Sequence, residues 1–271
     1  MAADAPVLAE VDADGVGWLS LNRPNTHNAF DETLIAELSA ALDRFEADPA
    51  VRSVVLRGRG RSFCAGADLH WMRRMGEADE AENVEDALRL AELLDALDRL
   101  SKPTLALVNG PAYGGGVGLV ACCDVAIAAN HATFAMTEVR LGLIPAVISP
   151  HVLAAIGQRQ ARRYFVTGES FSAQEALRIG LVHEVVEAEA LEGEGRRVLA
   201  ALAGNGPRAM AEVKTLIRDV AGRPMDAAFR RDTAQRIARA RGSEEGRTRI
   251  AAFLDKRMKP AGHGDADRGD V

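Results

Sequence analysis

Aromatic side chains are scarce in this chain. They make up 4% of 271 residues, against 48% hydrophobic residues overall. A sizeable core is available, but it must be packed from Ala, Val, Leu and Ile, with helices lying close together. Cysteine is scarcer still. Cys64, Cys122 and Cys123 lack metal-ligand spacing, and the adjacent pair is excluded from an ordinary mutual disulfide. They read as reduced, mostly buried thiols of a cytoplasmic protein. His27, His70, His131, His151, His183 and His263 show no ligand spacing either, so no metal centre is expected. Excess positive charge is absent: the net charge of −6 argues against bulk nucleic-acid binding. No apolar run approaches the roughly 20 residues of a membrane-spanning helix. The acidic start, interrupted by Pro6, reads as neither a secretory signal nor an Arg-rich transit peptide. No repeat of fixed period stands out.

What the chain does have is glycine in one place. Asn109-Gly110-Pro111 is a turn signal behind the apolar run Thr104–Val108, and Gly114, Gly115, Gly116 and Gly118 follow. A strand, a glycine turn and a helix start bring bare backbone N–H groups to one point, which favours negative charge. Glu138 lies further along in a mostly apolar context, with Phe134, Met136, Val139, Leu141, Leu143 and Ile144 around it. A half-buried carboxylate has a raised pKa and can trade protons near neutral pH. A charge sink and a proton carrier are the ingredients of enolate chemistry.

Other readings of these residues compete. Gly116-x-Gly118-x-x-Ala121 matches a dinucleotide fingerprint, but the next strand, Val125–Ala129, ends at Asn130-His131 rather than at a ribose-binding acid. Alternatively, the glycines only let a helix pack tightly on a strand. Arg57, Arg59 and Arg61 form a candidate phosphate cluster, although such runs are more often a solvated edge. His151, behind Pro150, reads as structural rather than catalytic.

Periodicity organises the rest. Asp14-Gly15 joins a hairpin of Val7–Glu10 and Val16–Leu21. Helical spacing covers Asp31–Ala47 and Glu82–Leu100, with a strand at Val51–Arg57 between them. Further helices are expected up to Ile156 from Pro150, at Gln158–Phe165 and at Ser172–Ile179, with a strand at Leu181–Val186. From Glu189 the pattern is all helical: Glu189–Ala203, Pro207–Val220, Met225–Ala240 and Ser243–Met258. This divides the chain into an α/β core over residues 1–188, a helical part over 189–259 and a polar, disordered tail over 260–271.

Several blocks together resemble the enoyl-CoA hydratase/isomerase (crotonase) family. They are Leu21-Asn22-Arg23-Pro24 with Asn28-Ala29-Phe30, Ser62–Leu69, Asn109-Gly110 with Gly114-Gly115-Gly116, Cys123-Asp124, Glu138–Pro145, Phe171–Val182 and Ala252–Arg257. The resemblance implies an α/β spiral of ββα units with a C-terminal α-helical trimerisation region, in trimers or pairs of trimers. It implies an acyl-CoA thioester substrate and no separate cofactor, coenzyme A being part of the substrate. The matching oxyanion-hole donors are the N–H groups of Ala67 and Gly115. CoA would lie along Ala65, Gly66, Ala67, Asp68 and Leu69, near Arg23, with Phe253 and Lys256 contributing.

One departure matters. Typical hydratases of that family carry two glutamates, and the first position here is Gly118. Double-bond isomerisation needs a single base, so Gly118 raises the isomerase reading. A finer resemblance, in GGGVGLVACCDVAIA and TEVRLGLIPAVISPHVLAAIGQRQARRYF, points instead to the bacterial methylglutaconyl-CoA and isohexenylglutaconyl-CoA hydratases. On that reading Gly118 makes room for a branched or carboxylated acyl group, Glu138 handles both water and proton, and the enzyme serves leucine or related acyl-CoA breakdown. A non-catalytic acyl-CoA-binding homologue is the alternative from another class.

Overall fold

The computed structural model describes residues 5–258, with side chains through Asp255. The expected tail at 260–271 and the side chain of Lys256 lie outside the described residues. The described residues form two compact units, divided between Gly204 and Asn205.

The first unit is built on a six-stranded sheet. Strands β1 (Val7–Val11) and β2 (Val16–Leu21) form the antiparallel hairpin. Its turn is closed by Asp12, whose carboxylate accepts the N–H groups of Asp14 and Val16. Strands β3 (Ser53–Gly58), β4 (Thr104–Val108), β6 (Val125–Ala129) and β9 (Glu184–Val186) then add in parallel, in the order β1-β2-β3-β4-β6-β9. A smaller sheet of β5 (Ala112–Tyr113), β7 (Thr133–Ala135) and β8 (Phe171–Ser172) lies apart from it. The helices are α1 (Glu32–Ala47), α2 (Leu69–Glu77), α3 (Glu80–Arg99), α4 (Gly115–Cys122), α5 (Ser149–Thr167), α6 (Ala173–Ile179) and α7 (Leu191–Ala203).

The large sheet is buried on both faces, so its strands are apolar at nearly every position. Leu19, Leu21, Val54, Leu56, Ala106, Val108, Ala126 and Ala128 share one core with residues of α1, α3 and α4. The alternate residues Val16, Trp18, Val55, Leu105, Leu107, Ile127 and Ala129 pack with Leu191 and Leu199 of α7. Gly195 lets α7 come close: a Cβ there would stand 2.9 Å from a methyl of Leu107. The strand-bearing segment thus ends near residue 188, whereas the compact unit runs on to Gly204 because α7 covers the sheet.

Helix limits follow local chemistry. Asp31 caps α1, Asp68 caps α2, and Asp79 with Glu82 forms a capping box on α3. The two helices expected around residue 157 are two helical stretches of α5, broken at Gly157 (φ 71°, ψ 160°). Periodicity gave no sign of α2, where only Trp71 is buried. Strands β5, β7 and β8, two or three residues each, are too short to show alternation. On the small sheet Phe171 stacks with Phe134, their ring centroids 5.7 Å apart, and Tyr164 lies tilted against Phe171 at 4.3 Å.

The second unit is helical: α8 (Pro207–Val220), α9 (Ala227–Gly242) and α10 (Glu244–Met258). The Glu245 carboxylate accepts the N–H groups of Arg208 and Ala209 at the start of α8. Arg236 bridges Asp219 and Asp232. Ile217, Met225 and Phe253 are exposed.

Candidate active site

The site grows from two glycine-containing segments laid side by side. Asn28 organises the first. It is fully buried with φ +57°, a conformation asparagine tolerates better than most residues. Its Nδ2 donates to the carbonyls of Ser62 and Phe63, and its Oδ1 accepts the N–H of Arg23. Arg23 pairs with Asp31 at 2.7 Å and Asp68 at 3.3 Å and donates to the Ala29 carbonyl. Its guanidinium is thus engaged in bracing the loop that leads into α2. Asp68 is held ionised: although burial opposes this, the N–H groups of His70 and Trp71 and the charge of Arg23 keep its carboxyl below the usual range.

Residues 64–68 carry two isolated bridges, at Cys64 and at Ala67, on either side of a bend at Gly66. The Phe30 N–H donates to the Gly66 carbonyl, and the Asp68 N–H donates to the Phe30 carbonyl. These bonds flank Ala67, so its own N–H points away from Phe30. On the other side, Cys64 pairs with Ala112, and the Tyr113 N–H donates to the Cys64 carbonyl at 2.9 Å.

The two segments meet at Gly66 (φ +89°) and Gly114 (φ +49°). A Cβ on Gly66 would lie 3.1 Å from the Tyr113 carbonyl oxygen and 3.9 Å from the Gly114 Cα. Only glycine combines those backbone angles with that approach. Ala67 and Gly115 come next in each segment, the first exposed and the second half-buried, and neither N–H has a backbone acceptor among the described residues. Gly115 opens α4, where the helix dipole adds to the attraction for negative charge. Such donors can hold a developing oxyanion. Cys64 is no nucleophile: full burial pushes its thiol up to about 12.

Glu138 begins a single 3-10 turn, Glu138–Leu141, after β7. Its carboxylate lies over Gly114, where a Cβ would stand 3.2 Å from Oε1. Its buried Oε2 has no hydrogen-bond partner. Burial raises the Glu138 pKa above the ordinary glutamate value, outweighing its own backbone N–H, which lowers it. A carboxyl group suited to carrying a proton therefore sits against the N-terminus of α4, next to Gly115.

The same burial has a stability consequence. The folded pKa exceeds the unfolded value of about 4.3. Glu138 therefore destabilises the fold progressively as pH rises through its folded pKa, and not below about pH 4. Glu138→Gln, neutral throughout, should raise the melting temperature at pH 7–8, with the gain closing as the pH falls to about 4. A variant that melts lower at neutral pH would contradict this.

Gly118 departs from expectation. It is not a gap beside the carboxylate. A Cβ at Gly118 would lie 2.6 Å from Ile148 Cγ2, 3.2 Å from Ile148 Cβ and 3.4 Å from Leu94 Cδ1. Ile148 already occupies the space in front of Gly118, so the idea that Gly118 makes room for a branched acyl group is corrected. Nothing in the sequence announced that contact, which joins residues thirty positions apart (148 − 118).

The remaining site residues fall as follows. Ala65 is half-buried and Leu69 is 80% exposed at the start of α2. Phe253 lies in the second unit, 56% exposed. His151 lies in the first turn of α5 and is half-buried.

A mostly parallel sheet, a smaller three-stranded sheet, interleaved helices and a C-terminal helical unit constitute the crotonase fold. The enoyl-CoA hydratase/isomerase family model matches residues 12–261, and the chain belongs to that family. A Thermus thermophilus relative with the provisional name of enoyl-CoA hydratase is 35% identical over 251 residues, covering 92% of this chain and 98% of its own. The crystal structure of an enoyl-CoA hydratase from Shewanella pealeana superposes with a TM-score of 0.90 at 42% identity, covering 93% of this chain and 94% of that one. Pseudomonas aeruginosa AtuE matches with a TM-score of 0.88 at 37% identity, covering 93% and 97%.

Proposed function

We propose that this chain is an enoyl-CoA hydratase that works with one carboxylate. The thioester oxygen accepts the N–H groups of Ala67 and Gly115. Glu138 takes a proton from water as the water oxygen bonds to the β-carbon. The π electrons of the α,β double bond move toward the thioester oxygen, giving an enolate held by the two donors. Glu138, now protonated, returns that proton to the α-carbon, and the carbonyl reforms. Every atom of the water ends in the product, so a single carboxyl suffices for the proton balance. The observation that carries this reading is the Glu138 carboxylate itself: over Gly114, with Oε2 unpartnered and its pKa raised by burial.

The acyl group we favour is branched, of the methylglutaconyl type. Its support is the subgroup resemblance of the 114–128 and 137–165 segments. Room for the branch lies elsewhere than at Gly118, which Ile148 fills. CoA lies along residues 65–69. Arg23 contributes by ordering that loop, and the family resemblance adds Phe253 and Lys256 from a neighbouring subunit. The exposed Ile217, Met225 and Phe253 of that unit suit burial between copies in a trimer.

Isomerisation of a 3-enoyl-CoA is the second reading, favoured by the lack of a second acid at Gly118. Turnover of 3-methylglutaconyl-CoA and crotonyl-CoA, followed as loss of the conjugated double bond, separates these. The branched ester should be hydrated with the higher kcat/KM. Equal or better hydration of crotonyl-CoA would overturn the branched assignment. Activity on a 3-enoyl ester alone would replace hydration by isomerisation.

A further inference from the structure

Gly114 is the N-cap of α4, and Gly118 lies one turn into the helix, its N–H donating to the Gly114 carbonyl at 3.3 Å. Glu138 lies against Gly114, and Ile148 lies against Gly118. Between them the chain folds on itself in short turns. The Leu143 N–H donates to the Glu138 carbonyl at 3.0 Å, Ala146 N–H to the Ile144 carbonyl at 2.8 Å, and Ser149 Oγ to the Ala146 carbonyl at 2.7 Å. Leu141, Leu143 and Ile144 along this segment are exposed, whereas Ile148 is 3% exposed and precedes α5 directly. The segment therefore runs from the N-cap of α4 to its first turn, with the carboxylate at one end and a buried side chain at the other.

We propose that Ile148 is a positioning residue for the reaction: its Cγ2 methyl, seated in the notch at Gly118, fixes the register of residues 138–148 on α4 and so sets the Glu138 carboxylate against Gly114 beside the Gly115 donor. Glycine at 118 is then required by this seat, since any side chain there displaces the methyl. This rests on the reading of Glu138 as proton carrier.

A β-branched side chain is what the seat needs. Valine keeps a methyl at that position and loses only the distal carbon. Leucine conserves the volume but moves the branch away from Cβ. A role limited to filling the core makes the two changes cost similar amounts, about 0.5–1.5 kcal/mol of stability each, with no order between them in kcat. A keyed seat favours valine. In turnover assays on the preferred ester, Ile148→Val should keep kcat within about twofold of the unsubstituted enzyme. Ile148→Leu should lower kcat by about tenfold or more, with KM within about twofold, because binding and the oxyanion donors are untouched.

The reciprocal test uses the other partner. Gly118→Ala should lower kcat by a similar factor, and Gly118→Ala with Ile148→Ala should exceed Gly118→Ala alone, since the clash is relieved. Melting curves confirm that each protein is folded; should the alanine variants fail to fold, the Val and Leu pair decides. Leucine matching or surpassing valine in kcat overturns the proposal, as does additivity in the double variant. Glu138→Gln, run alongside, keeps the two claims apart. Its retention of turnover would overturn the role of Glu138, whereas its inactivity together with an unaffected Ile148→Leu would overturn the seat alone.

Discussion

Glu138→Gln lowers kcat for hydration by about a thousandfold or more and leaves KM within a few-fold. A positioned acid or base contributes about 10²–10⁴ in rate, and in the proposed mechanism one group does both jobs. Glutamine keeps the shape that rests over Gly114 but cannot carry a proton. In a two-acid site the partner would retain part of the rate; here the corresponding position is Gly118, covered by Ile148. Binding survives because the thioester oxygen meets backbone N–H groups that the substitution does not touch. Steady-state kinetics with the preferred ester tests this, and a loss of less than tenfold would sink the role assigned to Glu138. The same substitution that removes activity should stabilise the fold at neutral pH, since it removes a buried charge whose Oε2 has no partner. Activity and stability thus oppose one another at this residue.

Gly116→Ala is the second large effect. The new methyl would stand 2.4 Å from the carbonyl oxygen of Cys64, closer than real Cβ atoms come, and a tight 3.0 Å from its Cβ. That carbonyl accepts the Tyr113 N–H and joins the two segments of the site. Relief must come from moving α4 away from residues 64–68, which separates the Gly115 donor from the Ala67 donor. Loss of one such donor lowers kcat by about 10²–10³. Crowding of this kind destabilises by about 1–3 kcal/mol. Gly76 serves as the control. It lies in α2, and a methyl added there would meet nothing within 4 Å, so Gly76→Ala should keep full activity and gain up to about 1 kcal/mol from helix propensity. Equal turnover of the two variants would contradict the close packing at Gly116.

Much of this was legible in the chain because the signals are local. Apolar periodicity marks the helices at Asp31–Ala47 and Glu82–Leu100, Asp14-Gly15 marks the hairpin, and Gly114–Gly118 marks a backbone that must come close to something. Glu138 stood out as an acid among apolar neighbours. Hidden were the features that depend on distant contacts. Asn28 looks like an ordinary turn residue until its side chain is seen bonding the carbonyls of residues 62 and 63. Arg23 reads as a free cation until Asp31 and Asp68 close around it. Gly118 suggests empty space because a sequence shows the missing side chain and not the Ile148 that fills its place. Helix α7 belongs to the sheet by virtue of Leu191, Gly195 and Leu199, although its composition is that of the helices after it.

The central claim is that one carboxylate moves every proton in the reaction. Exchange of the α-protons of a saturated ester, butyryl-CoA, in deuterated water measures proton transfer at carbon without the water-addition step. Run on the unsubstituted enzyme and on Glu138→Gln beside the hydration assay, it should show exchange and hydration falling together by about a thousandfold or more. Exchange that persists in Glu138→Gln while hydration is lost would reveal a second proton carrier and contradict the account.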